Sequence, residues 1–178
     1  GLSGKAVYID TEGTFRPERI IQIAQYRGIE PREALKNIIY ARIYDPATLL
    51  ASIKEIDRRI KEVKLIIIDN LASPFRGTYY EVSKDKGILL YSRELASLLF
   101  ELNIMSFRAN LATVITNQLI AVPEAGEEPY GSIYLSSFIT HRIMLRKLRS
   151  NKRIAKVIFS KSSYSGEGVF SITDRGIA

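Results

Sequence analysis

The chain has no cysteine, no tryptophan, one histidine and two methionines in 178 residues. Without cysteine it can form neither a disulfide framework nor a thiolate metal site, and a lone His141 cannot build a histidine cluster. His141 has no acidic or nucleophilic neighbour in the sequence, so a structural histidine is expected there. Met105 and Met144 read as core filling rather than as a ligand surface. No apolar run exceeds strand length, so neither a membrane span nor a signal peptide is expected and the default location is cytoplasmic. Acid is missing from one stretch in particular. Between Arg142 and Lys156 stand Arg142, Arg146, Lys147, Arg149, Lys152, Arg153 and Lys156 with no carboxylate among them, which equals the whole net charge of +7. Such a concentration attracts polyanions through counterion release, and it reads equally well as the solvated surface of a hairpin.

What is present fits one globular domain with a substantial core, at 46% hydrophobic and 25% charged residues. Lys64-Leu65-Ile66-Ile67-Ile68-Asp69-Asn70 is the central run: branched apolar residues bounded by polar ones, the pattern of a parallel strand buried on both faces. It stops at a carboxylate. In open α/β sheets ligands lie beyond the carboxyl ends of the strands, so an acid at that point faces a ligand or its metal. Two further runs repeat the design, Ala6 to Glu12 and Leu111 to Gln118, so that three strands deliver Asp10, Glu12, Asp69, Asn117 and Gln118 to one edge.

Taken in order, Gly1 to Lys5 is a turn entering a strand over Lys5 to Asp10. It lacks the GxxxxGK[ST] spacing and following helix of a phosphate loop. Pro17 opens a helix that Gly28 stops. Pro31 to Leu35 is a short helix, Asn37 to Tyr44 a second buried strand, and Pro46 to Val63 a long amphipathic helix. Strand, helix and strand in alternation predict right-handed crossovers and a parallel sheet. Residues 70–87 read as a long loop and Ile88 to Asn110 as a helix, apolar through Leu95, Leu98, Leu99, Leu102, Ile104, Met105 and Phe107. Gln118 to Ser132 reads as another loop. From Ile133 onward short strands without intervening helices are expected, over Phe138 to Leu148, Lys152 to Ser160 and Gly168 to Thr173, the first two joined by a turn at Ser150-Asn151.

A carboxylate ending a buried strand suits Mg²⁺ held largely through its own waters, and Asp69 is the best candidate. Glu12, two residues past its strand, is placed to polarise an attacking water in phosphoryl transfer, or else caps the following turn or pairs with a nearby arginine. Gln118 can hydrogen-bond a terminal phosphate, or satisfy loop backbone. Asp10 reads as fixing the turn that follows it.

These segments together resemble the ATPase core of the RecA-like strand-exchange recombinases, most closely the archaeal RadA group and its paralogs. The resemblance rests on YIDTEGTFRPERI (Tyr8 to Ile20), LIIIDNLASPFR (Leu65 to Arg76), ITNQ (Ile115 to Gln118), RIMLRK (Arg142 to Lys147), KRIAKVIFS (Lys152 to Ser160) and GVFSITDRGI (Gly168 to Ile177). It implies a RecA-like, mostly parallel sheet flanked by helices, with a C-terminal antiparallel extension. It implies ATP and Mg²⁺ as cofactors, Glu12 as catalytic glutamate, Asp69 as the Walker B aspartate, Gln118 as sensor of the terminal phosphate beside Asn117, and Arg19 as the arginine that stacks on adenine. The loops after Asp69, with Arg76, and after Gln118 match the family's two DNA-binding loops. Arg146, Lys147, Lys152 and Arg153 are the further candidates for DNA contact. Single-stranded DNA, a RadA-type recombinase and further copies of the chain are the implied partners.

The resemblance also has departures. The Walker A loop and first strand of the family should lie upstream of Gly1, so residues 1–178 are expected to form one RecA-like core domain, incomplete at its start, with little or no ATPase activity by itself. The loop after Gln118 is short and carries Glu124, Glu127 and Glu128, which repel phosphates. Tyr164-Ser165-Gly166-Glu167 replaces the family's proline-rich cap. These changes imply a paralog that assists a recombinase, the alternative being a non-catalytic adaptor of a recombination complex.

Overall fold

The computed structural model describes residues 4–58, 60–76, 84–122, 126–129 and 132–178. The first three residues of the expected entry turn, the loop segment 77–83, Glu124 with its neighbours at 123 and 125, and residues 130–131 lie outside these. The chain groups into two compact units, one of residues 1–15 and 37–138, the other of residues 16–36 and 139–178.

The first unit is built on a parallel sheet. Strand β1 (Lys5–Asp10) pairs with β2 (Ile38–Arg42) on one side and β3 (Val63–Asp69) on the other, and β3 pairs with β4 (Ala112–Ile115), giving the order β2-β1-β3-β4. Helix α3 (Pro46–Arg58) links β2 to β3 and helix α4 (Lys84–Ala109) links β3 to β4; α1 (Pro17–Tyr26) and α2 (Pro31–Lys36) belong to the second unit. Asp45 starts α3 by accepting from Thr48 N–H at 2.9 Å, with Pro46 pre-set for the first turn; that bond holds the Asp45 carboxyl below its usual range. Helix α3 ends at Arg58 rather than Val63, because residues 60–62 tighten into a 3₁₀ turn and Val63 already belongs to the sheet.

Burial divides the sheet's two faces. Val7, Ile9, Ile66 and Ile68 are fully buried, whereas Tyr8, Leu65 and Ile67, alternating with them, are only half-buried. The central strand is therefore not buried on both faces, as its unbroken apolar run suggested. Strand β2 is not a buried strand either. It forms the sheet edge, with Ile39 and Tyr40 exposed. Helix α4 buries Leu95, Leu98, Leu99, Leu102 and Met105 but leaves Phe100, Ile104 and Phe107 in solvent, so the apolar stretch of the helix is wider than the face it packs.

Two loop expectations and one strand expectation are corrected. Residues 73–76 are helical, with Leu71, Ala72 and Phe75 buried before the undescribed segment, and the charged stretch from Lys84 already belongs to α4. The stretch after Gln118 holds an antiparallel pair, β5 (Leu119–Val122) with β6 (Gly126–Pro129), whose hydrophobic and acidic halves do not look alternating in sequence. Ser132–Phe138 forms a short helix, α5, where strands alone were expected; Asn103 Nδ2 on α4 donates to the Phe138 carbonyl at 2.6 Å at its end.

The second unit contains α1 (Pro17–Tyr26), α2 (Pro31–Lys36) and an antiparallel sheet of order β10-β9-β8-β7, from β7 (His141–Lys147), β8 (Lys152–Ser160), β9 (Glu167–Thr173) and β10 (Gly176–Ile177). The chain leaves α1 through Gly28 at φ +67°, and Ile29 N–H returns to the Ala24 carbonyl at 2.9 Å, closing the helix end as the glycine predicted. The turn between β7 and β8 falls at Ser150-Asn151, Ser150 adopting φ +60°. The parallel sheet with helices and the antiparallel extension together give the RecA-like α/β class expected from the sequence.

Candidate functional site at the carboxyl ends of three strands

Asp10 and Asp69 stand side by side in register at the ends of β1 and β3. Their environments differ. Asp10 is fully buried, and its Oδ1 accepts the backbone N–H groups of Glu12 (3.0 Å), Gly13 (2.6 Å) and Thr14 (3.2 Å), while Oδ2 accepts that of Phe15 (3.1 Å) and the Tyr40 hydroxyl (3.1 Å). Arg42 Nη1 adds an ion pair at 3.1 Å. Burial alone would raise the Asp10 carboxyl; the N–H groups of Phe15, Thr14 and Glu12 and the Tyr40 hydroxyl outweigh it and hold the group ionised, below its ordinary value. Asp10 is thus the internal anchor of residues 11–15, which carry Glu12. Gly13 sits in that loop at φ +78°, and a Cβ there would collide with the Arg42 guanidinium.

Asp69, by contrast, is half-buried at its strand end. Its Oδ1 accepts from Thr116 Oγ1 at 2.5 Å and its Oδ2 from Tyr8 Oη at 2.7 Å, with Thr14 Oγ1 at 3.4 Å. Burial first, then the bond to Asp69, raises the pKa of the Tyr8 hydroxyl, so that it stays a donor. The backbone stitches the three strand ends together: Thr11 N–H donates to the Asp69 carbonyl (2.8 Å), the Thr11 hydroxyl both gives to and takes from the Asn70 backbone (2.9 Å each), and Leu71 N–H reaches the Thr116 carbonyl (3.0 Å).

Glu12 and Gln118 come from opposite ends of this edge and meet. Gln118 Nε2 donates to Glu12 Oε1 at 2.9 Å, joining residues 106 positions apart. Asn117 Oδ1 accepts Gln118 N–H at 3.0 Å, which fixes the amide's approach. Of the residues picked from the sequence, Glu12, Asp69, Asn117 and Gln118 lie along this edge. The pattern did not reveal Tyr8, Thr116, Tyr40 or Arg42. Tyr8 was accessible to period-two reasoning, since it lies two residues before Asp10 and therefore on the same face.

The remaining candidates take no part in the hydrogen bonds just described. Arg76 is exposed at the end of the helical turn 73–76. Arg19 belongs to the second unit, where its guanidinium donates to the carbonyls of Thr173 and Asp174 and to Gln22 Oε1. The basic run is distributed by the pleat. Met144 faces Lys156 and Arg146 faces Ile154, so Arg146, Lys152 and Lys156 share one face of β7 and β8; Lys147 faces Arg153 on the other, beside Ile143, Leu145 and Ala155. His141 is exposed and paired through Nδ1 with Ser160 Oγ at 2.9 Å, a structural contact.

The strand-end donors are all oxygen, and one half-buried carboxylate flanked by hydroxyls fits Mg²⁺, which keeps most of its waters; among the described residues no three acidic or histidine side chains enclose a metal by themselves. Gln118 and Asn117 offer amides suited to a terminal phosphate. The guanidinium at this edge, Arg42, is engaged by Asp10. No helix among the described residues is long and apolar enough to cross a membrane.

Comparison with known proteins adds the following. The Rad51 family model matches residues 1–178. A protein of Methanococcus voltae named DNA repair and recombination protein RadA is 36% identical over 180 aligned residues, covering 97% of this chain and 55% of that protein. Its namesake from Methanococcus maripaludis (strain C5 / ATCC BAA-1333) is 37% identical over the same extent. The chain spans about half the length of these relatives.

Proposed function

The chain belongs to the Rad51 family, and on that premise we propose that it is the ATPase core of a RadA-like paralog acting in DNA recombination and repair, which assists a RadA-type recombinase. The observation that carries the reading is the meeting of Glu12 and Gln118 beside Asp69 at the ends of three adjacent strands. In it Asp69 would hold Mg²⁺, Glu12 would take a proton from the attacking water, and Gln118, beside Asn117, would hydrogen-bond the terminal phosphate. Bound Mg²⁺ would neutralise charge on the phosphates. Asp10 keeps the Glu12 loop in one shape before any ligand arrives, so little ordering remains to be done at the moment of reaction. Arg19 is assigned to the adenine.

For single-stranded DNA, Arg76 and the basic hairpin with Arg146, Lys147, Lys152 and Arg153 supply the charge in this reading; Arg146, Lys152 and Lys156 share one face of the hairpin and Lys147 and Arg153 the other. Assembly with further copies of the chain belongs to the same reading, as does a cytoplasmic location. In this reading residues 1–178 act as one RecA-like core domain.

The test is a titration of Mg²⁺ and ATP, in the complete gene product, against parent and Glu12→Gln. The reading expects binding in both and hydrolysis in the parent only. A folded protein that binds no nucleotide removes the enzymatic reading and leaves the second one, a non-catalytic adaptor of a recombination complex. That alternative is favoured by the engagement of Arg42 with Asp10, which leaves this cation committed to the fold rather than to phosphate. Under it Glu12→Gln leaves recombinase-assisted strand pairing unchanged.

A further inference from the structure

The carboxylate of Asp69 is gripped from both sides. Thr116, just past β4, donates to Oδ1 and Tyr8, on β1, donates to Oδ2, at 2.5 and 2.7 Å. Thr14 Oγ1 also lies 3.4 Å from Oδ2, so of the roughly four hydrogen bonds that an ionised carboxylate accepts, the second position on Oδ1 is left, among the described residues, for the water of a cation. Two donors on opposite oxygens from the two strands that flank β3 fix the plane of the group, where a single donor would leave it free to rotate. Tyr8 has a second contact. Its ring centroid is 4.8 Å from that of Phe15, the residue that closes the Glu12 loop and whose own N–H is tied to Asp10. Phe15 in turn stacks on Tyr40 of the edge strand at 5.0 Å. One side chain therefore touches both the acid of β3 and the loop that follows β1.

The register explains why a phenol is needed. Tyr8 pairs with Ile67, two residues before Asp69 and on its face of the sheet, so the side chain must run along the strand and across one strand spacing to reach the carboxylate. Serine or threonine at this position would fall short. Phenylalanine would fill the space against Phe15 and lose only the donor.

We propose that Tyr8 is the positioning residue of the cation site, orienting the Asp69 carboxylate toward the water shell of a divalent cation, with Thr116 as its counterpart on the other oxygen. This rests on the assignment of Asp69 made above. Partners that orient a metal-binding side chain typically change metal affinity by about 10- to 100-fold when removed, whereas a hydroxyl that only stabilises a strand end changes stability and leaves affinity alone.

Mn²⁺ serves as the probe, added without nucleotide, and its paramagnetic broadening of the backbone amide signals of residues 69–71 and 116–118 is followed to saturation. The parent should show a saturable site, and Tyr8→Phe should weaken it about ten-fold with its melting temperature close to the parent's. Thr116→Val should weaken it similarly, and Thr116→Ser, which keeps the hydroxyl, should not. Parent-like Mn²⁺ affinity in Tyr8→Phe overturns the positioning role while leaving the Asp69 assignment intact. Failure of Tyr8→Phe to fold also overturns it, since the hydroxyl would then belong to the fold. Broadening that survives Asp69→Asn, or is absent from the parent, overturns the Asp69 assignment and this proposal with it.

Discussion

The ends of β1, β3 and β4 and the β7–β8 hairpin treat their polar residues in opposite ways. At the parallel strand ends, groups as far apart in sequence as Glu12 and Gln118 are brought within hydrogen-bond distance. In the antiparallel hairpin, neighbours such as Arg146 and Lys147 are sent to opposite faces. Parallel strands all deliver their carboxyl ends to one edge, so sequence distance does not matter there; the period of two in a strand separates what sequence places together. A cluster of charge in the sequence is thus poor evidence for a cluster in space, and a shared position at strand ends is good evidence for one.

The same contrast runs through the two aspartates at the edge, and it can be broken by substitution. Asp10→Asn removes the charge that four N–H groups, a hydroxyl and Arg42 surround, leaving a guanidinium without its counter-charge, and should cost about 3 kcal/mol in denaturant unfolding. Asp69→Asn, at a half-buried group held by hydroxyls, should cost no more than about 1 kcal/mol. Equal losses at the two positions would erase the distinction between anchor and ligand. Gly13→Ala tests the anchor from the other side: the left-handed backbone and the collision with Arg42 should cost about 2 kcal/mol.

Acid sharpens the comparison further. The Asp10 carboxyl lies below its ordinary value in the fold, so its contribution is fully present above about pH 3.9 and is lost as pH falls through the folded-state value. The parent should therefore lose stability on acidification through that window, and Asp10→Asn should show a flatter profile there by pH-dependent unfolding. The hairpin should give the smallest effect. Replacing Arg146, Lys152 and Lys156 by alanine should reduce the salt slope of single-stranded DNA binding by about 2. Lys147 and Arg153 together should reduce it by less than about 1, because Arg153 already donates to the Ser150 and Lys152 carbonyls. Equal slopes from the two sets would mean that the pleat does not sort these contacts.

Much of this was legible beforehand, for stated reasons. Strand-end acids, the Pro17 and Gly28 helix signals and the Ser150-Asn151 turn all follow from local chemistry and appear where expected. The sequence did not reveal which face of β3 is buried, because an unbroken run of isoleucine has no period to read. It did not place β2 at the edge, since pairing order depends on the whole sheet. The β5–β6 pair was hidden by prolines, glycines and acids that look like a loop. The hydroxyls on Asp69 were missed because Tyr8 and Thr116 resemble ordinary strand residues until the register brings them to the carboxylate.

The most direct measurement of the central claim is single-turnover ATP hydrolysis by the complete gene product on single-stranded DNA, parent against Glu12→Gln and Gln118→Ala. The account predicts that Glu12→Gln slows hydrolysis by about 100-fold or more with nucleotide binding preserved, and that Gln118→Ala weakens the response to DNA. Hydrolysis at the parent rate in Glu12→Gln would contradict it.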